Sequence, residues 1–172
     1  MIYSCMKPII AVVGGEKSVS LKSINYAEKI GQDIALNDCI LVCGGRGGVM
    51  RAACKGARQK NGLTIGILPS LDKKEANEHV VVPLTTGLGN TRNALVVSSA
   101  DAVIAVDGGV GTLSEISLAL CNNKPVVLVE NSSGVTDLLL KEKEKPGFED
   151  RIHRASASKA VKKALDLILE GK

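Results

Sequence analysis

Two ionisable side chains in this sequence, Glu115 and Arg92, occupy positions where they could act on a bound molecule. Glu115 ends the stretch VDGGVGTLSE, residues 106–115, which joins an apolar run to three glycines. A carboxylate beside a glycine-rich turn could accept hydrogen bonds from sugar hydroxyls or stabilise positive charge developing on a sugar. Arg92, in GNTRNA, is predicted to lie in the first turn of a helix with Asn90 or Thr91 as its N-cap. Because a cation there opposes the helix dipole, the Arg92 side chain either extends into solvent or compensates the charge of a bound anion.

Glu115 also has a purely structural interpretation. Residues 112–115 match the T-x-x-E capping box, in which Thr112 and Glu115 each accept a hydrogen bond from the other's backbone N–H. Thr112 would then be the N-cap of a helix that ends near Cys121. Local spacing favours the cap, so a chemical role for Glu115 depends on what lies around it.

Three glycine clusters each follow a predicted strand and lead into a predicted helix. Free backbone N–H groups and the positive end of the helix dipole make such junctions suitable for an anion. In a parallel sheet these junctions converge at one edge, which favours a phosphate-bearing ligand over isolated tight turns. The predicted ligand-binding residues are Gly14, Gly15, Gly44, Gly45, Arg46, Gly47, Gly48, Asn90, Gly108, Gly109, Gly111 and Thr112.

Other chemistries fit the sequence poorly. GGEKS follows the first predicted strand and GVGTLS lacks a third glycine, so the dinucleotide fingerprint GxGxxG is missing. GGRGGVM lacks the GK[ST] ending of an ATP-binding P-loop. No serine or cysteine has a histidine placed in sequence to activate it, so covalent catalysis is not predicted. Five cysteines form no CxxC pair and the two histidines are remote from them, so we expect buried thiols, no metal and no cofactor.

Short apolar runs that alternate with helix-period stretches predict the elements that position these residues. Strands are expected at 9–15, 39–45, 63–68, 79–84, 102–106 and 125–130, and helices at 18–36, 49–59, 91–99 and 112–121, with a last amphipathic helix around Val161 and Ile168. Strands apolar along their whole length are covered on both faces. We therefore predict an α/β fold over residues 1–172: a single Rossmann-like doubly wound domain with a mostly parallel sheet between helix layers. The charged segment KEKEKPGFEDR is expected to be an exposed loop or a frayed helix end.

Composition limits the partners. The chain of 172 residues is 45% hydrophobic and 23% charged, which is ordinary for a globular protein. Aromatic residues are only 2% and the formal net charge of +4 is scattered, so no nucleic-acid partner is expected. No apolar run approaches the roughly 20 residues of a membrane span, and no secretory leader is recognised, so we expect a cytoplasmic protein with no membrane partner.

Three stretches resemble the "lonely guy" (LOG) family, long mislabelled as lysine decarboxylases. GGVGTLSE resembles the family signature PGGxGTxxE, CGGRGGVM resembles its earlier glycine loop, and TGLGNTRNALVVSSADAVIAVDGG resembles the arginine-bearing helix and strand between them. The likeness covers residues 9–130 and is closest to the branch that includes the molybdenum-cofactor carrier protein. It implies a Rossmann-like homodimer or higher homo-oligomer that binds a nucleotide or phosphorylated pterin.

In the hydrolase members of the family, the glycine motif holds a 5′-phosphate, and its glutamate and the upstream arginine serve N-glycosidic bond cleavage. The matching residues are Glu115 and Arg92 as catalytic groups, with the phosphate on Gly108, Gly109, Gly111 and Thr112. The resemblance thus implies a nucleoside 5′-monophosphate phosphoribohydrolase.

Two positions depart from the hydrolase pattern. Asp107 replaces the signature proline, where its carboxylate could repel a phosphate or recruit a cation, and Asn93 follows Arg92 where hydrolases typically have lysine. Two functions therefore stay open. One is hydrolysis of the base–ribose bond. The alternative is a non-catalytic carrier or sensor of molybdenum cofactor or a related phosphorylated pterin or nucleotide.

Overall fold

In the described residues, the six predicted apolar runs and one further segment form seven strands in one sheet. The computed structural model of the protein describes residues 6–141 and 151–171. The sheet order is β4-β3-β2-β1-β5-β6-β7, and every neighbouring pair is parallel. The strands are β1 (Ile9–Gly14), β2 (Ile40–Cys43), β3 (Thr64–Leu68), β4 (Val82–Thr85), β5 (Ala102–Val106), β6 (Val126–Val129) and β7 (Ile152–Ala155). The predicted Rossmann-like α/β domain is confirmed, with a sheet that is wholly parallel.

Helices cover both faces of the sheet because the strands carry apolar side chains on both. In β1, Ile10 and Val12 join the core on one face, whereas Ala11 and Val13 join the core on the other. The first face is covered by α1 (Leu21–Leu36), α2 (Gly48–Gln59) and α6 (Ala160–Glu170). The second is covered by α3 (Asn93–Ser98), α4 (Val110–Cys121) and α5 (Gly134–Lys141).

The chain reverses its direction across the sheet between β1 and β5. From β1 it moves outward through β2 and β3 to β4, and then returns to place β5 on the other side of β1. The pairing of Gly14 with Val106 aligns the carboxyl ends of these two strands. Loops that leave neighbouring strands in opposite directions open a crevice at such a switch point, and this is where ligands bind in doubly wound sheets.

Some elements differ from the sequence prediction. The edge strand β7 was not predicted because only Ile152 and Ala155 of its four residues are buried, so no alternation stands out. Helix α5 was also missed, since it buries only Val135 and Thr136 among its described side chains. Residues 142–150 of the predicted exposed segment, and Cys5, lie outside the described residues.

Two expectations about chemistry and location can be compared with the fold. The buried-thiol expectation holds for Cys39, Cys43 and Cys54, whereas Cys121 is exposed, and all four thiols are free. Within residues 6–141 and 151–171, none of the helices has the length and apolar character needed to cross a membrane.

Candidate functional site

A cavity of about 240 Å³ opens at the switch point between β1 and β5. It collects residues from the β1–α1 loop, the turn before α3 and the start of α4. Its lining consists of Gly14, Gly15, Glu16, Met50, Asn90, Arg92, Asn93, Gly109, Gly111, Thr112 and Glu115. Eight of the residues predicted from sequence are in this set, so three distant stretches of the chain meet at one place.

The turn between β5 and α4 brings a helix N-terminus to the cavity. Asp107 and Gly108 have positive φ angles of 58° and 98°, which reverse the chain sharply at the end of β5. Gly109 is the N-cap of α4, and α4 begins at Val110. The first N–H groups of a helix have no acceptor within it, and they carry the positive end of the helix dipole. Since Gly109 and Gly111 line the cavity, this positive end lies at the cavity wall.

The predicted capping box at Thr112 and Glu115 is wrong. Because α4 begins at Val110, Thr112 lies inside its first turn and Glu115 in its second. In a capping box the Ser or Thr stands at the N-cap and the Glu three residues later. The N-cap of α4 is Gly109, and no side chain bonds the cap. Both Thr112 and Glu115 are buried, and both line the cavity.

Arg92 is held inside the protein rather than extended into solvent. It ends a 3-10 turn, Gly89–Arg92, and acts as the N-cap of α3, so the prediction of Asn90 or Thr91 as N-cap is also wrong. The side chain is 9% exposed. Its guanidinium lies so close to Gly44 that a Cβ at this glycine would overlap it. Gly44 therefore serves the site by leaving space for the arginine.

The guanidinium of Arg92 is only partly compensated. Nη1 lies 3.5 Å from Glu115 Oε1 and also donates a hydrogen bond to Asn93 Oδ1. Its Nε is buried with no hydrogen-bond partner among the described residues. A buried donor without an acceptor is costly, by about 1–3 kcal/mol and more for a charged group. A side chain that lines the cavity thus carries a buried, unsatisfied cationic donor.

Glu115 is balanced between its charged and neutral forms. Burial of the carboxyl group raises its pKa, the positive charge of Arg92 opposes that rise, and the result is a pKa of about 7 instead of 4.5. Desolvation is the larger effect because Glu115 is only 6% exposed. Near neutral pH the side chain can therefore donate or accept a proton, as a general acid or base must.

The second glycine loop, residues 44–48, packs next to the cavity without lining it. Gly48 packs against the carbonyl oxygen of Gly15, to which Val49 N donates a hydrogen bond at 2.9 Å. Arg46 Nε pairs with Glu16 at 3.1 Å. Of the predicted ligand-binding residues, those absent from the lining are Gly44, Gly45, Arg46, Gly47, Gly48 and Gly108.

Asp107 turns away from the cavity. Its Oδ1 accepts a hydrogen bond from Gly108 N at 2.6 Å and lies against Gly134. Its backbone N–H donates to Ser132 Oγ at 3.0 Å. Asp107 is not part of the lining. Its backbone N–H, rather than its carboxylate, ties the β5–α4 turn to the β6–α5 loop.

Sequence reasoning gave no role to three lining residues: Glu16, Met50 and Asn93. Glu16 and Asn93 are chain neighbours of predicted residues, and adjacency to Gly15 and Arg92 could have identified them. Met50 resembles an ordinary core residue of α2 and gave no signal. Within the described parts of the chain, no group of three or more His, Cys, Asp or Glu side chains is arranged to hold a metal ion.

A larger cavity of about 460 Å³ lies beside α1, α2 and the segment before β4. Its charges compensate one another: Lys55 Nζ pairs with Glu28 at 3.0 Å, and Arg51 forms a bidentate pair with Glu78. These four side chains are partly exposed, where ion pairs contribute little. The switch-point cavity is the better candidate because it contains the buried, undercompensated charge.

A parallel doubly wound sheet with a glycine-rich turn and a buried cation at its switch point defines a Rossmann-like α/β protein with a site for an anionic ligand. A sequence model of the SLOG cluster4 family matches residues 7–161, and the chain belongs to this family. The resemblance to LOG-like proteins is thereby confirmed.

Solved structures and a curated relative show two kinds of similar protein. The molybdenum cofactor binding protein of Rippkaea orientalis is 39% identical, with a TM-score of 0.86 over 96% of this chain and 99% of that one. The molybdenum cofactor carrier protein of Chlamydomonas reinhardtii is 33% identical, with a TM-score of 0.82 over 96% and 99%. The cytokinin riboside 5′-monophosphate phosphoribohydrolase of Rhodococcoides fascians is 31% identical over 77% of this chain and 72% of its own length.

The raised pKa of Glu115 predicts how stability depends on pH. An unfolded carboxyl group titrates near 4.5, whereas Glu115 titrates near 7 in the fold. Between these values only the folded state holds the proton, so stability falls as pH rises through this range. Glu115→Gln mimics the protonated form. The free energy of unfolding of Glu115→Gln minus that of the unchanged protein, both measured with urea, should therefore increase by about 2–3 kcal/mol from pH 5 to pH 8.

Glu78→Gln is the matched control. The hydrogen bond from Arg51 lowers the pKa of Glu78 to about 2, so this group titrates below the tested range in both states. Its stability difference should stay constant between pH 5 and pH 8. An equally flat difference for Glu115→Gln would contradict the pKa assigned to Glu115.

Proposed function

We propose that this protein binds a phosphate-bearing pterin or nucleotide in the switch-point cavity. The observation that carries the proposal is the buried Arg92 guanidinium, whose Nε has no partner in the described residues. A phosphate bound in the cavity beside the guanidinium would compensate this buried charge. The adjacent N-terminus of α4 would supply backbone N–H donors to the same anion.

The size of the cavity indicates which part of a ligand it would hold. A volume of about 240 Å³ is below the usual range of roughly 300–1,000 Å³ for pockets that enclose a whole drug-sized ligand. We propose that the phosphate and the ring attached to it occupy the cavity, and that the remaining base or pterin extends towards the surface. Both candidate ligands share this phosphate end.

Binding without cleavage, as a molybdenum cofactor carrier, is our first candidate. The structures that support it are more than 30% identical to this chain and cover nearly its whole length. Asn93 also fits this candidate, because it leaves the Arg92–Glu115 pair without the further cation that hydrolases place there. The carrier would need only the anion site and a surface for the ring system.

Hydrolysis of a nucleoside 5′-monophosphate is the second candidate, and the Glu115–Arg92 pair favours it. Cleavage of an N-glycosidic bond develops positive charge on the ribose, which an ionised carboxylate stabilises. With a pKa of about 7, Glu115 is ionised in a large part of the molecules at neutral pH. Arg92 would hold the phosphate and keep Glu115 charged.

The binding proposal predicts that Arg92→Gln weakens the affinity for AMP about 10- to 100-fold, because the variant loses a charge-assisted hydrogen bond to the phosphate. Isothermal titration calorimetry measures the effect. Arg51→Gln is the matched control, since this guanidinium pairs with Glu78 outside the cavity. Equal AMP affinities for the Arg92 and Arg51 variants would exclude Arg92 as the phosphate ligand.

A turnover assay separates the two candidates. The protein is incubated with a panel of nucleoside 5′-monophosphates, and free base and ribose 5-phosphate are quantified by chromatography. The carrier predicts no release from any of them, together with retention of molybdenum cofactor through gel filtration. The hydrolase predicts release that Glu115→Gln abolishes while AMP binding remains. Release that persists in Glu115→Gln would remove the carboxylate from the mechanism.

We also propose that the protein forms a homodimer or higher homo-oligomer. Helices α3 and α4 expose Leu95, Val110 and Leu113, and Val110 is 85% exposed between two lining glycines. An apolar surface of this kind is typical of protein–protein contacts. Light scattering should give at least twice the mass of one chain, and Val110→Asp should lower it. A single-chain mass at micromolar concentration would refute the proposal.

A further inference from the structure

The side chain of Asn93 links two parts of the candidate site. Its Oδ1 accepts a hydrogen bond from Arg92 Nη1. Its Nδ2 donates to Ser114 Oγ at 2.8 Å and lies 3.5 Å from the carbonyl oxygen of Gly111. One amide thus joins the start of α3, where Arg92 is, to the first turns of α4, which carry the glycine-rich wall of the cavity.

The neighbours of Asn93 fix the direction of its amide. A guanidinium has only donors, so the amide oxygen must face Arg92. Ser114 Oγ donates its own proton to the Gly111 carbonyl at 2.7 Å, and it is therefore an acceptor for the amide N–H. Asn93 is 7% exposed, so a reversed amide would bury an N–H donor against a cation. Only one orientation satisfies all three partners.

An amide holds Arg92 without removing its charge. Nη1 is shared between Asn93 Oδ1 and Glu115 Oε1, and Nη2 lies against Gly44. These contacts restrain the guanidinium on two sides, while its Nε stays without a partner in the described residues. A carboxylate in place of the amide would form a close ion pair and leave less positive charge for an anion.

We infer that Asn93 is a positioning residue, which fixes the Arg92 guanidinium against the α4 turn and leaves its charge available to the ligand. This inference rests on the proposed binding of a phosphate-bearing ligand at Arg92. It assigns Asn93 no contact with the ligand, and its action passes through Arg92 and the bond to Ser114.

Two substitutions separate the restraint of the Arg92 guanidinium from the neutralisation of its charge. Asn93→Leu keeps a similar volume and removes both hydrogen bonds. Asn93→Asp keeps an acceptor for Arg92 and adds a negative charge. In the ligand-free protein, ¹⁵N NMR measures rotation of the Arg92 guanidinium about its Cζ–Nη bonds. We expect rotation to become at least about tenfold faster in Asn93→Leu and to stay slow in Asn93→Asp, because only the first variant loses the acceptor.

Affinity for AMP, with inorganic phosphate as a second probe, should fall about tenfold or more in both variants, by different routes. Asn93→Leu loses it because the guanidinium is no longer held. Asn93→Asp loses it because the charge is neutralised. Ser114→Ala should give a smaller loss in the same direction. Ser117→Ala is the matched control and should change neither measurement. Among the described residues, the hydroxyl of this α4 serine bonds only its own helix, donating to Leu113 O at 2.9 Å.

Circular dichroism and thermal melting identify variants that remain folded. Fast Arg92 rotation in the unchanged protein, or unchanged rotation in folded Asn93→Leu, would overturn the inference. So would an Asn93→Asp variant that binds AMP as tightly as the unchanged protein. If the unchanged protein binds neither AMP nor phosphate, the proposed function fails for these probes, whereas the rotation measurement still tests the positioning of Arg92 by Asn93.

Discussion

The constraint on which the site depends is the burial of one positive charge at the switch point of the sheet. Removing a guanidinium from water costs several kcal/mol unless its donors are matched by acceptors. Glu115 is the only charged partner that pairs with Arg92 in the described residues, and at 3.5 Å the contact is loose. Because burial raises its pKa to about 7, Glu115 carries less than a full negative charge at neutral pH. The charge of Arg92 is therefore left open to an anion.

The surrounding turns keep this charge in place. Gly44 lacks the side chain that would expel the guanidinium, and the left-handed turn at Asp107 points α4 towards it. Non-glycine residues adopt that backbone at a cost of roughly 1–2 kcal/mol. Asparagine and aspartate adopt it more readily than most because their side chains bond locally, as Asp107 does with Gly108 N. Ser132 Oγ holds the turn from behind, since it accepts from Asp107 N and donates to Val129 O at 2.7 Å. The β6–α5 loop, which does not line the cavity, thus fixes the geometry of the loop that does.

The sequence allowed prediction of the sheet and of the residues that meet at its edge, because both follow from local patterns. Runs such as residues 102–106 are apolar throughout, short and rich in β-branched residues, which together favour a strand covered on both faces. The glycine turns mark strand ends for the same local reason. Details that depend on three-dimensional packing were not predictable. The start of α4 lies two residues before Thr112 because the turn at Asp107 and Gly108 sets it, and the T-x-x-E spacing contains no information about that turn.

Residue roles at the site show the same division. Local patterns marked Arg92 and Glu115 separately, and the resemblance to the LOG family implied that they act as a pair. The positioning role proposed for Asn93 depends on Ser114 and Gly111. These residues are about twenty positions away in sequence and lie next to Asn93 only after α3 packs on α4. Gly44 was predicted to bind ligand, but its contact with the Arg92 side chain gives it the different role of making space. Loop glycines look alike in sequence, and only the fold separates those that line a cavity from those behind it.

The state of Glu115 connects the two candidate functions. A phosphate dianion bound at Arg92 would draw the guanidinium's charge away from Glu115 and add a negative charge nearby, and both effects raise the pKa of a carboxyl group. Ligand binding would then favour the protonated form, which can donate a hydrogen bond to a ligand oxygen but cannot stabilise a cationic sugar. Cleavage requires the Glu115 carboxylate to stay ionised. This needs either a large distance between the phosphate and Glu115 or a short distance between Arg92 and Glu115. In the proposed site, the same residues could therefore hold a ligand or cleave it. The distance between a bound phosphate and Glu115, which the proposed positioning of Arg92 by Asn93 would influence, would decide which of the two occurs.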